Sequence, residues 1–278
     1  MGLLVCPICR KELLKEGRSY KCRNNHNYDM AKQGYLNLLL ASKKKSKNPG
    51  DDREMVESRK RFLEGGFYRK ISEKVNETIL DISDNEKEIK ILDIGCGEGY
   101  YTNRLKNCLE KEGKIVEIVG IDISKEAVMA ASKSYKGIFW CVASGGELPI
   151  EDRSLDFVLC MFSRIVPEEY SRVIRDDEYL VIASTGEEHL LEMKHVLYKD
   201  VKTDFYRPEK HLTDFFELED TVNIKYTEII RGKDNIKSLF DMTPYKWRSP
   251  KEGVARLYLL EELSVTIDVN LDIFRKKI

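Results

Sequence analysis

Two short stretches of this 278-residue chain carry side chains whose types and spacing suit chemistry. In the first, Cys6 and Cys9 stand two residues apart in CPIC, and Cys22 and His26 stand three apart in CRNNH, with twelve residues between the pairs. Two close ligand pairs joined by a hairpin-length spacer can close a tetrahedral zinc site. Four protein ligands leave no open coordination position, so such a metal is structural. A segment of about forty residues buries too little apolar surface to fold alone, and a metal supplies the missing stability. The other readings are two unrelated cysteine pairs or a disulfide. MGLLVCPICR has no apolar leader segment, so the expected setting is the cytoplasm, where thiols stay reduced.

The second stretch is ILDIGCGEGYYT at 91–102. It reads as a strand, a turn with Gly95, Gly97 and Gly99 at alternate positions, and a helix. Glycines let the backbone turn sharply and approach a ligand with no Cβ in the way. The pattern is D-x-G-x-G-x-G, beginning at Asp93, whereas a dinucleotide pyrophosphate is held by G-x-G-x-x-G at a bare helix N-terminus. Here Glu98 places a negative charge in the loop, which opposes a diphosphate and tolerates a cationic sulfonium. The next strand ends in GIDIS, placing Asp122 where a carboxylate accepts the ribose hydroxyls. Its plainer reading is a strand-end cap. The loop therefore favours S-adenosylmethionine over a nicotinamide dinucleotide.

The elements that must hold these residues alternate. Strand signals at 88–95, 114–124, 137–144, 154–162 and 178–184 are separated by helical spacing at 100–113, 125–135, 167–175 and 188–198. That order gives a parallel α/β sheet. Late strand signals at 221–230 and 263–274, around one helix at 233–242, suggest a mixed far edge. Residues 51–80 read as mostly helical, starting at Asp51 and Asp52 and breaking at Gly65 and Gly66. No apolar run approaches the length of a transmembrane helix, so no membrane partner is expected. Cys96, Cys108, Cys141 and Cys160 have no metal spacing and read as small buried hydrophobes.

The net charge of −1 hides an asymmetry. Residues 1–70 carry 17 Lys and Arg against 8 Asp and Glu, and the rest carries 30 against 40. A basic head on an acidic body suggests a polyanionic partner. The densest piece, SKKKSKNPG at 42–50, alone reads as a solvated linker. Beside a zinc module it points to nucleic acid.

In this order the motifs resemble the bacterial 23S ribosomal RNA (guanine-N1)-methyltransferases of the RlmA type. They are CPIC, CRNNH, YDMAKQGYLNLL at 28–39, GDDREMVESRKRFLEGGFY at 50–68, LDIGCGEGYYT, HLLEMK at 189–194 and MTPYKWR at 242–248. The resemblance covers nearly the whole chain. It implies a Rossmann-like, seven-stranded S-adenosylmethionine-dependent methyltransferase domain over 71–278. Ahead of it come a zinc-binding RNA-recognition module at 1–40 and a basic linker and helical segment at 41–70. It implies zinc at Cys6, Cys9, Cys22 and His26, cofactor contacts from Tyr68, Gly97, Glu98 and His189, a 23S rRNA hairpin as substrate and a homodimer. Tyr68 would give an aromatic face to the sulfonium, and His189 would meet the methionine carboxylate. Without the resemblance Tyr68 reads as a core tyrosine, and His189 as an ordinary residue at a helix start. Ala143 and Ser144, ending the third strand, fall where this fold usually holds adenine. No residue stands out as a base for guanine N1, and Arg164 is the candidate for stabilising a developing anion. The chain departs from the family after the fourth strand, reading MFSRIVPEE in place of a segment like Tyr-Ala-Pro-Cys. It departs again before the fifth, reading RDDEY in place of Pro-Gly-Gly. Two other readings fit the residues: a methyltransferase for protein or small molecules, and a non-catalytic RNA-binding relative.

Overall fold

The computed structural model describes residues 2–44, 46–83, 87–201 and 206–278. The amino-terminal residues fold into three short strands, β1 (Leu14–Glu16), β2 (Ser19–Lys21) and β3 (Asn27–Asp29), paired antiparallel in that order. β4 (Tyr35–Asn37) leaves this small sheet and pairs parallel to an edge of the main one. Helices α1 (Arg53–Glu64) and α2 (Arg69–Ile82) follow. Asp52 caps α1 by accepting the Met55 N–H at 2.9 Å, as the acidic start of that segment implied. Gly66, at φ +85°, ends it, and the break leaves Tyr68 as the N-cap of α2.

The α/β portion then runs β5 (Glu88–Ile94), α3 (Tyr100–Lys111), β6 (Ile115–Asp122), α4 (Lys125–Ser134), β7 (Phe139–Val142), β8 (Leu155–Met161), α5 (Pro167–Val173), β9 (Ile174–Thr185) and α6 (Leu191–Leu197). It ends with β10 (Phe216–Arg231), α7 (Lys233–Asp241), α8 (Lys251–Tyr258) and β11 (Glu262–Lys276). The sheet order is β10-β11-β9-β8-β5-β6-β7-β4, with β11 antiparallel to both neighbours. Seven strands come from the α/β portion, and β4 adds an eighth. Central parallel strands are covered on both faces, so they read as unbroken apolar runs; every residue of β8, LDFVLCM, is buried.

One face of the sheet packs on seven helices, through residues such as Phe62, Ile71, Leu105, Val128, Met193, Ile236 and Leu257. The other face packs on α5, through Tyr170 and Val173, and on Leu3, Leu4, Leu13 and Tyr20 of the amino-terminal segment. Tyr20 meets Phe139 edge-on at 5.5 Å. Arg10 donates to the Leu148 and Ile150 carbonyls at 2.7 and 3.0 Å. The cysteine-bearing head therefore takes a place in the sheet's own core.

Between β10 and β11 the chain inserts two helices where the sequence signalled one. α8 carries Gly253 in its interior, which weakens the helical signal. A Cβ there would collide with the Leu197 backbone of α6, so the glycine permits close helix packing. β9 starts at Ile174, earlier than the apolar run at 178. The extra residues sit in a register shift opposite Leu155 and Phe157, and Asp177 takes φ +66° where glycine is the usual choice.

Candidate metal centre and cofactor cavity

The four amino-terminal ligand residues converge. Cys6 Sγ and Cys22 Sγ each lie 3.4 Å from His26 Nδ1, Cys9 Sγ lies 3.6 Å from Cys22 Sγ, and all four donor atoms fall within 4.8 Å of one another. Zinc–sulfur bonds of about 2.3 Å set tetrahedral edges of roughly 3.8 Å, so the set is sized for one ion. Tight turns hold each pair: Arg10 N–H donates to the Cys6 carbonyl and Asn25 N–H to the Cys22 carbonyl, with Arg10 and Asn25 at positive φ. No disulfide joins them. Tyr28 Oη, 3.3 Å from Cys6 Sγ, is a hydroxyl donor for a metal-bound thiolate that spacing alone did not single out. Around this centre Lys11, Lys15, Arg18, Arg23 and Lys32 are exposed and, among the described residues, make no ion pair. In the following basic run Lys43 pairs with Glu147, Lys44 is exposed, and Lys45 lies outside the described residues.

The second site is a cavity of about 760 Å³ at the carboxyl ends of β5, β6 and β8. The strand order reverses between β5 and β8, and the connections leave in opposite directions there, opening the crevice that ligands use in open α/β sheets. Asp93, Gly95, Gly97, Glu98, Asp122, Tyr68, His189 and Arg164 all line it. Gly99 lies just behind, at φ +86°, where a Cβ would stand 2.6 Å from Trp140. A Cβ on Gly97 would find nothing nearer than Arg59 at 3.8 Å, so that glycine leaves room on the cavity side.

The loop is acidic, and most of its carboxylate oxygens are held by neighbouring N–H or hydroxyl groups. Asp122 accepts the Gly97 N–H at 3.0 Å and the Ser124 N–H at 2.7 Å. Glu98 takes the N–H groups of Glu98 and Tyr100 at the start of α3. It fills the positive helix end that a pyrophosphate would need. Asp93 accepts from Thr102 Oγ1 at 2.5 Å through Oδ2, while its buried Oδ1 has no partner. Burial pushes Asp93 up to about 7, reinforced by Asp122 and Glu98 and opposed by Thr102. Burial likewise raises Glu98 to about 7 against the pull of Arg59, and Asp122 is raised by the same cause. Buried acids with an orphan oxygen suit a cationic ligand, and the methionyl ammonium and sulfonium of S-adenosylmethionine fit them.

Tyr68 and His189 form a buried pair, Oη to Nε2 at 3.1 Å. His189 Nδ1 accepts the Asp268 N–H at 3.2 Å, so the proton of the neutral ring sits on Nε2 and is donated to Tyr68. Burial holds the ring neutral, lowering it to about 4. Ala143 and Ser144 lie apart from the cavity wall: Ala143 is buried with its N–H on the Asp122 carbonyl, and Ser144 Oγ caps Gly146 N–H. In their stead Gly50, Asp51 and Arg59 reach the wall, which the sequence did not single out. Asp51 pairs with Arg59, and Ser124 Oγ donates to the Asp51 carbonyl at 2.6 Å, folding the segment after the basic run over the end of β6.

Residues 4–47 match the family model described as RlmA, N-terminal, and residues 91–176 the one described as Methyltransferase domain. YxjB of Bacillus subtilis (strain 168), which carries the name of a 23S rRNA (guanine-N(1)-)-methyltransferase, is 30% identical over 97% of this chain and 96% of its own length. The 23S rRNA (guanine(748)-N(1))-methyltransferase of Streptomyces fradiae is 27% identical over 91% and 89%. A chain from the complex of the Haloferax volcanii Trm112 methyltransferase activator with a methyltransferase shares the fold, with a TM-score of 0.51 at 16% identity over 82% and 99%. A zinc ribbon set into a methyltransferase sheet, and likeness along nearly the whole length of these relatives, place the chain in the RlmA-type 23S rRNA (guanine-N1)-methyltransferase family.

Proposed function

We propose that this chain methylates N1 of one guanine in a 23S rRNA hairpin loop, using S-adenosylmethionine held at the β5 loop. The observation that carries the reading is the mounting of a cation-rich zinc ribbon on the same sheet as an acidic cofactor cavity. The end-to-end likeness to relatives named for guanine N1 supports the atom. Cys6, Cys9, Cys22 and His26 hold zinc, whose role is structural because the protein fills all four positions.

When bound, S-adenosylmethionine supplies an electrophilic sulfonium methyl. The residues of the chain do the rest. Asp93 Oδ1 takes the methionyl ammonium, and Asp122 accepts from the ribose hydroxyls while Gly97 and Ser124 hold its carboxylate still. Gly95, Gly97 and Gly99 shape the loop, and Glu98 closes the helix end. His189 holds the Tyr68 hydroxyl, so the tyrosine ring keeps one orientation against the cavity. The cavity walls align the reacting atoms, which supplies much of the rate. Guanine N1 carries a proton that leaves as the N–C bond forms. Every carboxylate in the wall belongs to the cofactor loop, to the end of β6 or to the Asp51–Arg59 pair. The proton therefore goes to solvent at the mouth, and the exposed guanidinium of Arg164 stabilises the base anion.

Residues 1–40 and the basic run that follows grip the RNA backbone, and the cavity selects the base. A homodimer in the cytoplasm is the working unit that the family resemblance implies. Among the described residues no helix is long and apolar enough to cross a membrane. The test is primer extension on 23S rRNA. A methyl on N1 blocks pairing, so reverse transcriptase stops one nucleotide short in RNA from cells with the protein and reads through in a deletion strain. A stop that persists in the deletion strain, or a methyl added in vitro to ribose or cytosine, refutes the reading.

A further inference from the structure

Two large aromatic side chains that line the cavity are exposed, Trp247 at 66% and Phe162 at 41%. Neither is needed to close the core. Trp247 belongs to the MTPYKWR stretch, which leads from α7 through a single helical turn at Pro244–Trp247. Its ring is held in place: Lys246 Nζ stands 5.3 Å from the ring centroid, and Glu54 of α1 holds that ammonium at 2.8 Å. The cation occupies one face and leaves the other to solvent.

Phe162, immediately after β8, adopts φ +53°, a conformation an aromatic residue rarely takes. Its N–H is fixed to the Ala183 carbonyl at 3.0 Å. Strain of this kind persists where a side chain must be aimed. Its ring leans on Tyr101 at 6.4 Å, and the Tyr101 hydroxyl is buried in the wall with no partner. Arg164 and Arg248, also in the wall, are exposed and make no ion pair among the described residues. Aromatic faces, an unmatched hydroxyl and free guanidiniums together meet the needs of a purine: a stacking surface, a partner for its edge, and cations for O6 and the flanking phosphates.

We propose that Trp247 and Phe162 are the stacking contacts for the target guanine, which leaves its loop and enters the cavity between the cofactor loop and the MTPYKWR turn. The proposal rests on the functional reading above and adds the residues that take hold of the base. An N1 atom on the Watson–Crick edge is reached only when the base is unpaired or extruded, and stacking on fixed rings repays its unstacking.

The chain has two tryptophans, and the other, Trp140, is buried, so Trp247 reports directly. With zinc-loaded full-length protein and 23S rRNA transcript, tryptophan emission should be quenched in wild type and unchanged in Trp247→Phe. Trp247→Ala should lower kcat/KM for methyl transfer to the transcript by roughly 5- to 150-fold, the range for one lost stacking contact. Trp247→Phe should recover most of that, and Phe162→Ala should fall in the same range. Calorimetric affinity for S-adenosylmethionine should stay within about twofold in all three, as expected for residues that touch only RNA. Wild-type transfer in Trp247→Ala, an equal loss of cofactor affinity, or a change of sedimenting mass showing that a second copy covers the ring would each overturn the proposal. A wild-type protein that transfers no methyl to 23S rRNA refutes the functional reading itself, and this proposal with it.

Discussion

Cofactor binding should depend steeply on pH between 6 and 8. Asp93 and Glu98 sit near 7 because burial penalises their charge; Asp93 also faces Asp122 and Glu98, and Glu98 faces Asp122. The sulfonium and ammonium of S-adenosylmethionine demand the opposite, carboxylates that are ionised. For one group near 7 that must ionise, affinity falls about tenfold from pH 8 to pH 6; for two it falls about a hundredfold. At pH 7 each group is half protonated, so binding releases on the order of one proton in total. Titration calorimetry in buffers of different ionisation enthalpy measures that number. Asp93→Asn removes one of the two groups and should reduce the pH effect to about tenfold, whatever it does to the affinity itself. Stability of the free protein should run the other way. In the folded state these carboxylates titrate above their unfolded values, so the native state binds more protons between about pH 4 and 7. Their contribution therefore falls as pH rises through that window, and saturating S-adenosylmethionine should flatten the trend. An affinity that is constant from pH 6 to 8, with no proton released, would refute the placement of the cofactor's cations against this loop.

Removing zinc by chelation, or by Cys22→Ser, should lower the melting temperature of the whole chain in a single calorimetric transition. Leu3, Leu4, Leu13, Tyr20, Leu36 and Leu38 are all at most 3% exposed in the common core, and each such side chain contributes about 1.5–3 kcal/mol. Two transitions with the upper one unmoved would show an independent head. Gly99→Ala should destabilise the fold by about 2–5 kcal/mol, from its positive φ and the collision with Trp140. Gly97→Ala should cost only about 1–2 kcal/mol in denaturant melts yet lose more cofactor affinity, because its added methyl enters space open to the ligand. Equal effects of the two on stability and on affinity would mean that the loop is oriented differently.

The local parts of this molecule were readable because their signals are local. The ligand spacing of Cys6, Cys9, Cys22 and His26, the glycines after β5, and the Asp52 cap each depend on a few neighbouring residues. The missed features depend on distant ones. Gly253 weakens a helix in sequence and is explained only by the Leu197 backbone it packs against. Nothing in YLN marks it as an eighth strand until β7 offers an edge. Arg59 reads as one more charge on an amphipathic helix, and becomes part of the cavity only because residues 50–51 fold back onto Ser124. Ala143 and Ser144, which follow β7 where this fold usually holds adenine, do not line the cavity.

The mounting of the head also bears on how a base is chosen. A module on a free tether would bring RNA near the cofactor at many distances, and selection would rest on the cavity alone. Here Leu38 N–H bonds the Val142 carbonyl, Ala143 N–H bonds the Asp122 carbonyl, and the carbonyl of the preceding residue, Ile121, anchors Gly95 and Cys96. A ladder of backbone hydrogen bonds thus runs from the zinc ribbon to the glycine loop. On the far side of the basic run the chain is tied again, at Gly50 and Asp51 against Ser124. On the proposed reading, in which the head grips the RNA, the distance from a phosphate to the reacting methyl is a property of the sheet. A ruler of that kind would select a base by its distance from the stem as well as by its edge, as the methylation of one loop guanine proposed above requires.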